Sequence, residues 1–269
     1  MRLKDNVVIV TGAGTGIGAA VVEHLISVEG ASVVAVGRRA EPLEALAQKT
    51  GCFPCAGDVS KRADVKRIIK TATSEYGGVD TMISNHGVLS LATFETTDEE
   101  VWRESLEINT VGPFLLAQES VPAMESRGGG SIILVSSVAA YFAYPPDNVA
   151  YASSKGAVIT MTRTLAVELG SKNIRVNCIC PGLVRTPMVD PIFQQIADNR
   201  NVSLDEAYAL AGRHLPAGRM GMPADFGGPC AFFASEDSRW VTGAILNVDG
   251  GTTVLNPGIM SVMREAESG

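Results

Sequence analysis

Short apolar segments alternate with helical patterns along the chain, and this alternation restricts its fold more than any other feature. The segments lie at 6–11, 32–37, 79–84, 131–136, 174–179 and 244–248, with a weaker one near 52–56. Most are apolar at every position, as is typical of strands that helices cover on both faces. The pattern predicts an α/β fold of the Rossmann type, with a doubly wound, seven-stranded, mostly parallel sheet.

The composition is that of a globular protein and disfavours two kinds of partner. Of the 269 residues, 46% are hydrophobic and 19% are charged, and no proline-rich or serine-rich linker divides them. The net charge of −7 without a basic cluster argues against nucleic acid. No apolar stretch approaches the roughly 18 residues of a membrane span. We predict one domain over 1–256, a tail at 257–269 and a cytoplasmic location, where the five cysteines stay reduced.

Cys52 and Cys55 form a CxxC pair, which could hold zinc or simply fill the core. A zinc site needs a second pair of ligands, yet Cys178 and Cys180 are distant and belong to a predicted strand. The pair is therefore interpreted as small core residues, and no metal is predicted.

Several helix ends are marked by the residues around them. Ser60 is expected to cap a helix that ends at Gly77, while Pro42 lies in the first turn of the preceding helix and Gly51 follows it.

A glycine-rich turn, TGAGTGIG at 11–18, connects the first predicted strand to the first predicted helix. Glycines let the backbone turn sharply and approach a phosphate, and the N-terminus of the helix supplies free N–H groups. The spacing of Gly12, Gly16 and Gly18 gives TGxxxGxG. This turn predicts a nucleotide cradle; the alternative is an ordinary glycine-rich loop.

The second predicted strand ends in Gly37, Arg38 and Arg39, at the place where an acidic residue would accept the ribose hydroxyls of NAD. A guanidinium can instead clasp a 2′-phosphate through two charge-assisted hydrogen bonds. The sequence therefore favours NADP(H), with Arg38 as the main partner, and leaves NAD(H) possible. The alternative is an arginine that is simply solvated at a helix entry.

Tyr151 and Lys155 lie one turn apart if 150–169 is a helix. An ammonium about 4 Å from a phenolate stabilises it by roughly 4 kcal/mol at an effective dielectric of about 20. This is expected to lower the pKa of the phenol from about 10 by up to about three, toward the range of a general acid/base.

Two further features accompany this pair. Ser136 and Ser137 end a predicted strand, where parallel sheets bind ligands, and a serine hydroxyl there can donate to a carbonyl oxygen. Pro113 has no N–H for the carbonyl of Asn109, so that carbonyl is expected to be free to hold a water near Lys155.

Together these motifs resemble the classical short-chain dehydrogenase/reductase family, over residues 5–251. The matching motifs are TGxxxGxG at 11–18, GDVS at 57–60, SNHG at 84–87, Asn109, Ser137, Tyr151-x-x-x-Lys155, PGLVRTP at 181–187 and NVDGG at 247–251. The resemblance implies hydride transfer between a nicotinamide cofactor and a carbonyl or alcohol carbon, without a metal. It also implies a homotetramer or homodimer, with the helices around 98–125 and 151–169 packed against their copies.

The resemblance also implies roles for individual residues. Tyr151 is the proton donor or acceptor, Ser137 polarises the substrate oxygen, Lys155 bonds the nicotinamide ribose and lowers the pKa of Tyr151, and Asn109 anchors a water relay. The implied cofactor contacts are Gly12, Thr15, Gly16, Ile17, Gly18, Arg38, Arg39, Asp58, Val59, Asn85, Gly87, Tyr151, Lys155, Pro181, Gly182, Val184 and Thr186.

The chain departs from the family pattern at three places. Ser137 and Tyr151 are 14 positions apart instead of 13, His86 replaces the usual alanine, and Thr15 is neutral where NADP users often carry a basic residue. A structural imidazole is the favoured interpretation of His86, and a role in the nicotinamide pocket is the alternative.

Residues 188–222 are predicted to form a substrate lid of two short helices, the second beginning with a capping box at Ser203–Glu206. Ser137, Tyr144 and Tyr151 are the predicted substrate contacts. The apolar side chains of the lid and the nearby aromatics suggest an apolar ketone or secondary alcohol, cyclic compounds included; the alternative is that they only seal the lid. They are Tyr141, Phe142, Ile192, Phe193, Ile196, Leu204, Tyr208 and Leu210.

A protein of another class, a non-catalytic dinucleotide-binding sensor or scaffold, is the second hypothesis. Such a protein has no need for Asn109, a serine, Tyr151 and Lys155 together, so the enzyme is favoured.

Overall fold

The structure, a computed structural model, describes residues 1–142 and 148–255. Within them, seven parallel strands form one sheet in the order β3-β2-β1-β4-β5-β6-β7. The strands are β1 (Val7–Thr11), β2 (Ser32–Gly37), β3 (Phe53–Ala56), β4 (Thr81–Ser84), β5 (Gly130–Val135), β6 (Ile174–Pro181) and β7 (Ile245–Val248). Every pairing between neighbours is parallel, which confirms the predicted Rossmann-type α/β fold.

Helices cover both faces of this sheet. They are α1 (Gly16–Ser27), α2 (Ala40–Thr50), α3 (Arg62–Tyr76), α4 (Glu99–Leu106), α5 (Gly112–Ser126), α6 (Val149–Leu169), α7 (Asp190–Arg200), α8 (Leu204–Gly212) and α9 (Gly227–Ala234). A π-helical turn, Glu107–Val111, joins α4 to α5.

Alternate residues of each strand enter different halves of the core, because successive side chains of a strand point to opposite faces. Ile9 packs with Ile68 of α3 and Leu116 of α5. Val8 packs on the other face with Val21 of α1 and with buried side chains of α2 and α9. Burial on both faces explains why the strands are apolar at every position.

The CxxC pair straddles these two halves. Cys52 belongs to the half that contains α1, and Cys55 to the half that contains α3. Both are buried free thiols, and the separation supports their interpretation as core residues.

Most of the predicted helix ends are confirmed, and one is wrong. Gly51 and Gly77 follow α2 and α3 in the left-handed conformation, at φ 79° and 83°. Ser203 and Glu206 form the predicted capping box. Ser60 does not cap α3: its hydroxyl donates to Asp58 at 2.8 Å, and Lys61 occupies the cap position.

The strand order places a topological switch point between β1 and β4. After β1 the chain moves outward to β2 and β3, and it then returns to the other side of β1. Loops at the carboxyl ends of β1 and β4 therefore diverge, which opens a crevice of the kind that binds ligands in such sheets.

Across 1–142 and 148–255, no helix combines the length and the apolar character that crossing a bilayer requires.

Candidate active site

A cleft of about 1190 Å³ opens at the carboxyl ends of the strands and extends to the lid helices α7 and α8. Most of the predicted site residues line it: Gly12, Thr15, Gly16, Ile17, Arg38, Arg39, Asp58, Val59, Asn85, Gly87, Ser137, Tyr151, Lys155, Pro181, Gly182, Val184 and Thr186. Gly18 and Asn109 lie behind its wall. Tyr144 and the tail at 257–269 lie outside the described residues.

The glycine turn leaves no room for side chains. Gly12 and Gly16 have φ of 64° and 55°, in the region that favours glycine. A Cβ on Gly18 would lie 2.2 Å from the carbonyl oxygen of Gly12, so α1 packs directly against the turn. Thr15, at the N-cap of α1, makes no side-chain capping bond. Its hydroxyl therefore does not occupy the first N–H groups of the helix, which face the cleft.

Arg38 and Arg39 lie exposed at the same end of the cleft. Neither forms an ion pair or a hydrogen bond with another residue of the described chain. Burial tends to raise the pKa of Asp58, but hydrogen bonds from Ser60, with help from the charges of Lys61 and Arg38, bring it below its usual value. Asp58 is therefore an ionised acceptor beside two unpaired guanidinium groups.

Ser137 faces Tyr151, whereas Ser136 does not. The Ser136 hydroxyl donates to the carbonyl of Lys155 at 2.8 Å and ties β5 to α6. The Ser137 hydroxyl lies close enough to Tyr151 to lower the pKa of the phenol, and its oxygen accepts the N–H of Ala139 at 3.1 Å. The 14-residue spacing therefore still brings Ser137 to the phenol.

The predicted effect of Lys155 on Tyr151 is wrong in this structure. Burial raises the pKa of Tyr151, and the hydrogen bond with Ser137 offsets only part of this. Nζ of Lys155 lies 5.8 Å from the centre of the Tyr151 ring and donates to the carbonyl of Val135 at 3.0 Å. The two side chains share a helix face, with the cation over the Tyr151 ring.

Lys155 is itself affected by the same apolar surroundings. Burial lowers its pKa to about 8. The ammonium is therefore mostly charged at neutral pH and loses its proton as the pH rises past about 8.

Asn109 lies in the π-helical turn before Pro113 and is completely buried. Its side-chain amide exchanges two hydrogen bonds with the backbone of Val88, at 2.8 and 3.0 Å, and donates to Ser154 at 3.0 Å. The amide thus connects the segment after β4 to α6, directly behind Gly87 and Lys155.

His86 occupies a position that links three segments. Nε2 lies 3.1 Å from the carbonyl of Ile108, in the π-helical turn, and Nδ1 lies 2.8 Å from the hydroxyl of Thr11, at the end of β1. Burial and the charge of Lys155 lower the pKa of His86 to about 3, so the ring is neutral. These bonds support the interpretation of a structural imidazole, although the ring also lines the cleft.

The lid helices form a small core of their own. Phe193 stacks on Tyr208 with ring centres 4.3 Å apart, and both are buried with Ala197, Ala207 and Met220. Several predicted lid residues therefore seal the lid: Leu204 and Tyr208 face this core, whereas Ile192, Phe193 and Ile196 also line the cleft. The hydroxyl of Tyr141 bonds to Asn247, away from the cleft.

Other lining residues were not predicted. Leu89, Leu91 and Met188 line the lid end of the cleft, and Gly14 and Pro42 line its glycine-turn end. Gly14 carries the one usable signal, since it lies within the turn and a Cβ there would approach Pro42 to 3.2 Å.

A nicotinamide dinucleotide fits this cleft. The residues present match each of its parts: a turn without Cβ atoms at a helix N-terminus for the pyrophosphate, unpaired arginines for a ribose phosphate, and a Ser–Tyr–Lys group at the far end. Fold and site together define a dinucleotide-binding oxidoreductase.

Comparison with known proteins gives the family. The family model described as Enoyl-(Acyl carrier protein) reductase matches residues 12–253. The chain is 34% identical over 259 residues to the 3-oxoacyl-[acyl-carrier-protein] reductase FabG of Thermotoga maritima, covering 94% of this chain and all of the relative. It is 36% identical over 256 residues to human dehydrogenase/reductase SDR family member 4, covering 93% and 88%.

Solved structures agree. An L-sorbose reductase from Gluconobacter frateurii, complexed with NADPH and L-sorbose, has a TM-score of 0.88 and 30% identity, covering 95% of this chain and 99% of the other. A levodione reductase has a TM-score of 0.87 and 28% identity, covering 95% and 100%. The chain belongs to the short-chain dehydrogenase/reductase family and is an NAD(P)-dependent oxidoreductase.

Proposed function

We propose that the protein transfers a hydride between NADP(H) and a small carbonyl compound or secondary alcohol, with Tyr151 as the general acid/base. The observation that carries this proposal is the half-buried Tyr151 side chain, which lies beside Ser137 in the cleft that begins at the glycine turn. The nicotinamide, when bound, supplies or accepts the hydride. The chain must then bind, orient and exchange a proton with the substrate oxygen.

Ser137 and Tyr151 have the geometry to share that oxygen. The Ser137 hydroxyl, which lies beside the phenol, can donate to a carbonyl oxygen and polarise it. In the reductive direction Tyr151 then gives its proton to the same oxygen. Its raised pKa keeps the phenol protonated at neutral pH, so the acid is present in the form that the step needs.

We assign Lys155 the role of binding the ribose of the nicotinamide. Its ammonium is buried, lines the cleft and donates to the carbonyl of Val135, 5.8 Å from the centre of the Tyr151 ring. We assign Asn109 the role of positioning this region and of holding the water that returns a proton, through the carbonyl that Pro113 leaves without its N–H.

NADP(H) is proposed over NAD(H) because Arg38 and Arg39 stand where an acidic residue would discriminate against a phosphate. The structural relative complexed with NADPH supports the same assignment. A homotetramer or homodimer in the cytoplasm remains a prediction.

Tyr151→Phe tests the assignment. The phenylalanine keeps the ring and removes only the exchangeable proton, so we expect kcat to fall by about a hundredfold to ten-thousandfold while the Kd for NADPH stays unchanged. The measurement is the absorbance of the reduced nicotinamide during turnover of a panel of ketones, with NADPH binding followed separately. Tyr76→Phe, which removes a hydroxyl at the end of α3, is the matched control. Retention of a tenth of the wild-type rate by Tyr151→Phe shows that another group is the acid.

A further inference from the structure

Charge is unevenly distributed along the cleft. The charged side chains that line it lie at the nucleotide end or at the reaction centre: Arg38, Arg39, Asp58 and Lys155. Beyond Tyr151 the lining comes from residues 88–91, Asn148 and the lid. In the described part of the chain, this substrate end contains no charged side chain.

The substrate end is lined mainly by aliphatic groups, with two neutral amides among them. The aliphatic side chains are Leu89, Leu91, Met188, Ile192, Ile196 and Ala211. Asn148 and Gln195 supply the amides. Such a surface gains free energy by covering an apolar body and can hydrogen-bond a neutral substituent.

The cation beside the lid, Arg185, already has partners. Arg185 forms an ion pair with Asp205, and its guanidinium lies 4.7 Å from the centre of the Tyr208 ring, on the lid's own core. It does not line the cleft.

We infer that the substrate is an uncharged carbonyl compound or alcohol with an apolar body. This inference rests on the proposed function and specifies its substrate class. A carboxylate or phosphate that entered the substrate end would lose its hydration without meeting a cation, which disfavours binding strongly. Free keto acids are therefore disfavoured as substrates.

Matched pairs that differ only in charge test the inference. The pairs are ethyl acetoacetate with acetoacetate, methyl 4-acetylbenzoate with 4-acetylbenzoate, and ethyl 4-oxocyclohexanecarboxylate with its acid. We expect kcat/KM for each ester that is reduced to exceed that of its acid by about a hundredfold or more. The same pairs are titrated by calorimetry into the NADPH-loaded enzyme, so that affinity decides where turnover is absent.

A charge placed on the lid gives the complementary test. Gln195 lines the cleft and is exposed, so Gln195→Arg should fold and should raise the ratio of kcat/KM for each acid to kcat/KM for its matched ester by at least about tenfold. Gln194→Arg adds the same charge on the preceding residue of α7, which does not line the cleft, and should leave this ratio unchanged.

The outcomes separate this inference from the proposed function. Equal turnover or equal affinity for ester and acid overturns the inference and leaves the oxidoreductase assignment intact. The same gain from Gln194→Arg as from Gln195→Arg also overturns it, because the effect is then not local. Loss of turnover for every pair, with the ester still preferred in calorimetry, supports the inference and counts against the proposed reaction.

Discussion

At the scale of single residues, the nucleotide end of the cleft depends on two arginines with different expected roles. Arg38 directly follows β2, and its charge reaches Asp58 across the cleft. Arg39 occupies the N-cap position of α2 without making a capping bond. Both are available to an incoming phosphate, but only Arg38 is predicted to be its main partner.

Arg38→Ala should weaken NADPH binding much more than NADH binding. A charge-assisted hydrogen bond contributes about 1.5–3 kcal/mol, so we expect the Kd for NADPH to rise by roughly tenfold to a hundredfold. The Kd for NADH, which lacks the 2′-phosphate, should change by less than about threefold. Fluorescence titration of both dinucleotides measures these constants, and Arg39→Ala is the matched control. If Arg38→Ala weakens both dinucleotides equally, Arg38 does not recognise the phosphate.

Tyr151 and Lys155 share the helix face that their spacing predicts, but the pKa of Tyr151 is raised and not lowered. The four-residue spacing fixes a shared helix face, and that much is local. It does not specify that Nζ bonds to Val135, which lies twenty residues earlier, or that Tyr151 is buried deeply enough for desolvation to control its pKa. Both are consequences of how β5 packs on α6.

At the scale of elements, the sequence indicates a free backbone carbonyl near Asn109 but does not predict the π-helical turn that lies there. Pro113 indicated an interrupted hydrogen-bond ladder near Asn109, and the structure has a π turn there. The contacts of this turn with His86 cross 22 residues, and those of His86 with Thr11 cross 75. Periodicity and local spacing carry no information about such distant partners. The strands, in contrast, can be predicted because each one is a run of consecutive apolar residues.

His86 and Gly112 are matched across this junction. A Cβ on Gly112 would lie 2.8 Å from Nε2 of His86, closer than packing allows, with Val59 next at 3.4 Å. Gly112→Ala should therefore destabilise the wild-type protein by about 1–3 kcal/mol through overpacking. In a His86→Ala background the same change should be neutral or stabilising by up to about 1 kcal/mol, since alanine is the better helix former.

Urea denaturation of the two single variants and the double variant measures this change of sign. An equal cost of Gly112→Ala in both backgrounds would show that the ring does not set the space at Gly112. Gly156→Ala is the control: it lies in α6, and the nearest atom to its added Cβ is 3.8 Å away, so its effect should not depend on residue 86.

At the scale of the whole molecule, the N-terminal segment is joined beside α1 to the turn that follows α9. Glu29, directly after α1, is buried and accepts hydrogen bonds from the backbone N–H and Nε of Arg2, each at 3.1 Å. Arg2 also pairs with Asp237 at 3.3 Å, and His24 lies 3.6 Å from the Glu29 carboxylate. One carboxylate thus holds the N-terminal segment against the body of the protein.

The stability of the protein should depend on this carboxylate in acid. The hydrogen bond from Arg2 lowers the pKa of Glu29 to about 2, against 4.5 for an ordinary glutamate. A depressed pKa contributes stability that is complete above pH 4.5 and is lost as the pH falls toward about 2. The shift corresponds to about 3 kcal/mol at most, and we expect about 1–2 kcal/mol because Arg2 is partly exposed to screening solvent.

Glu29→Gln keeps the shape and removes the charge, so the difference in unfolding free energy from the wild type should be largest at pH 6–7, near the range of ordinary stability maxima. Below pH 4.5 that difference should shrink, because Glu29 then binds a proton in the unfolded wild type but not in the folded state, which lowers the stability of the wild type. Urea titrations at a series of pH values measure the difference directly. Glu23→Gln, which removes an exposed partner of Lys49, should give a small difference at every pH. A difference for Glu29→Gln that stays constant from neutral pH to pH 3 would mean that the carboxylate is not selectively stabilised in the folded protein, and that the N-terminal segment is held by packing alone.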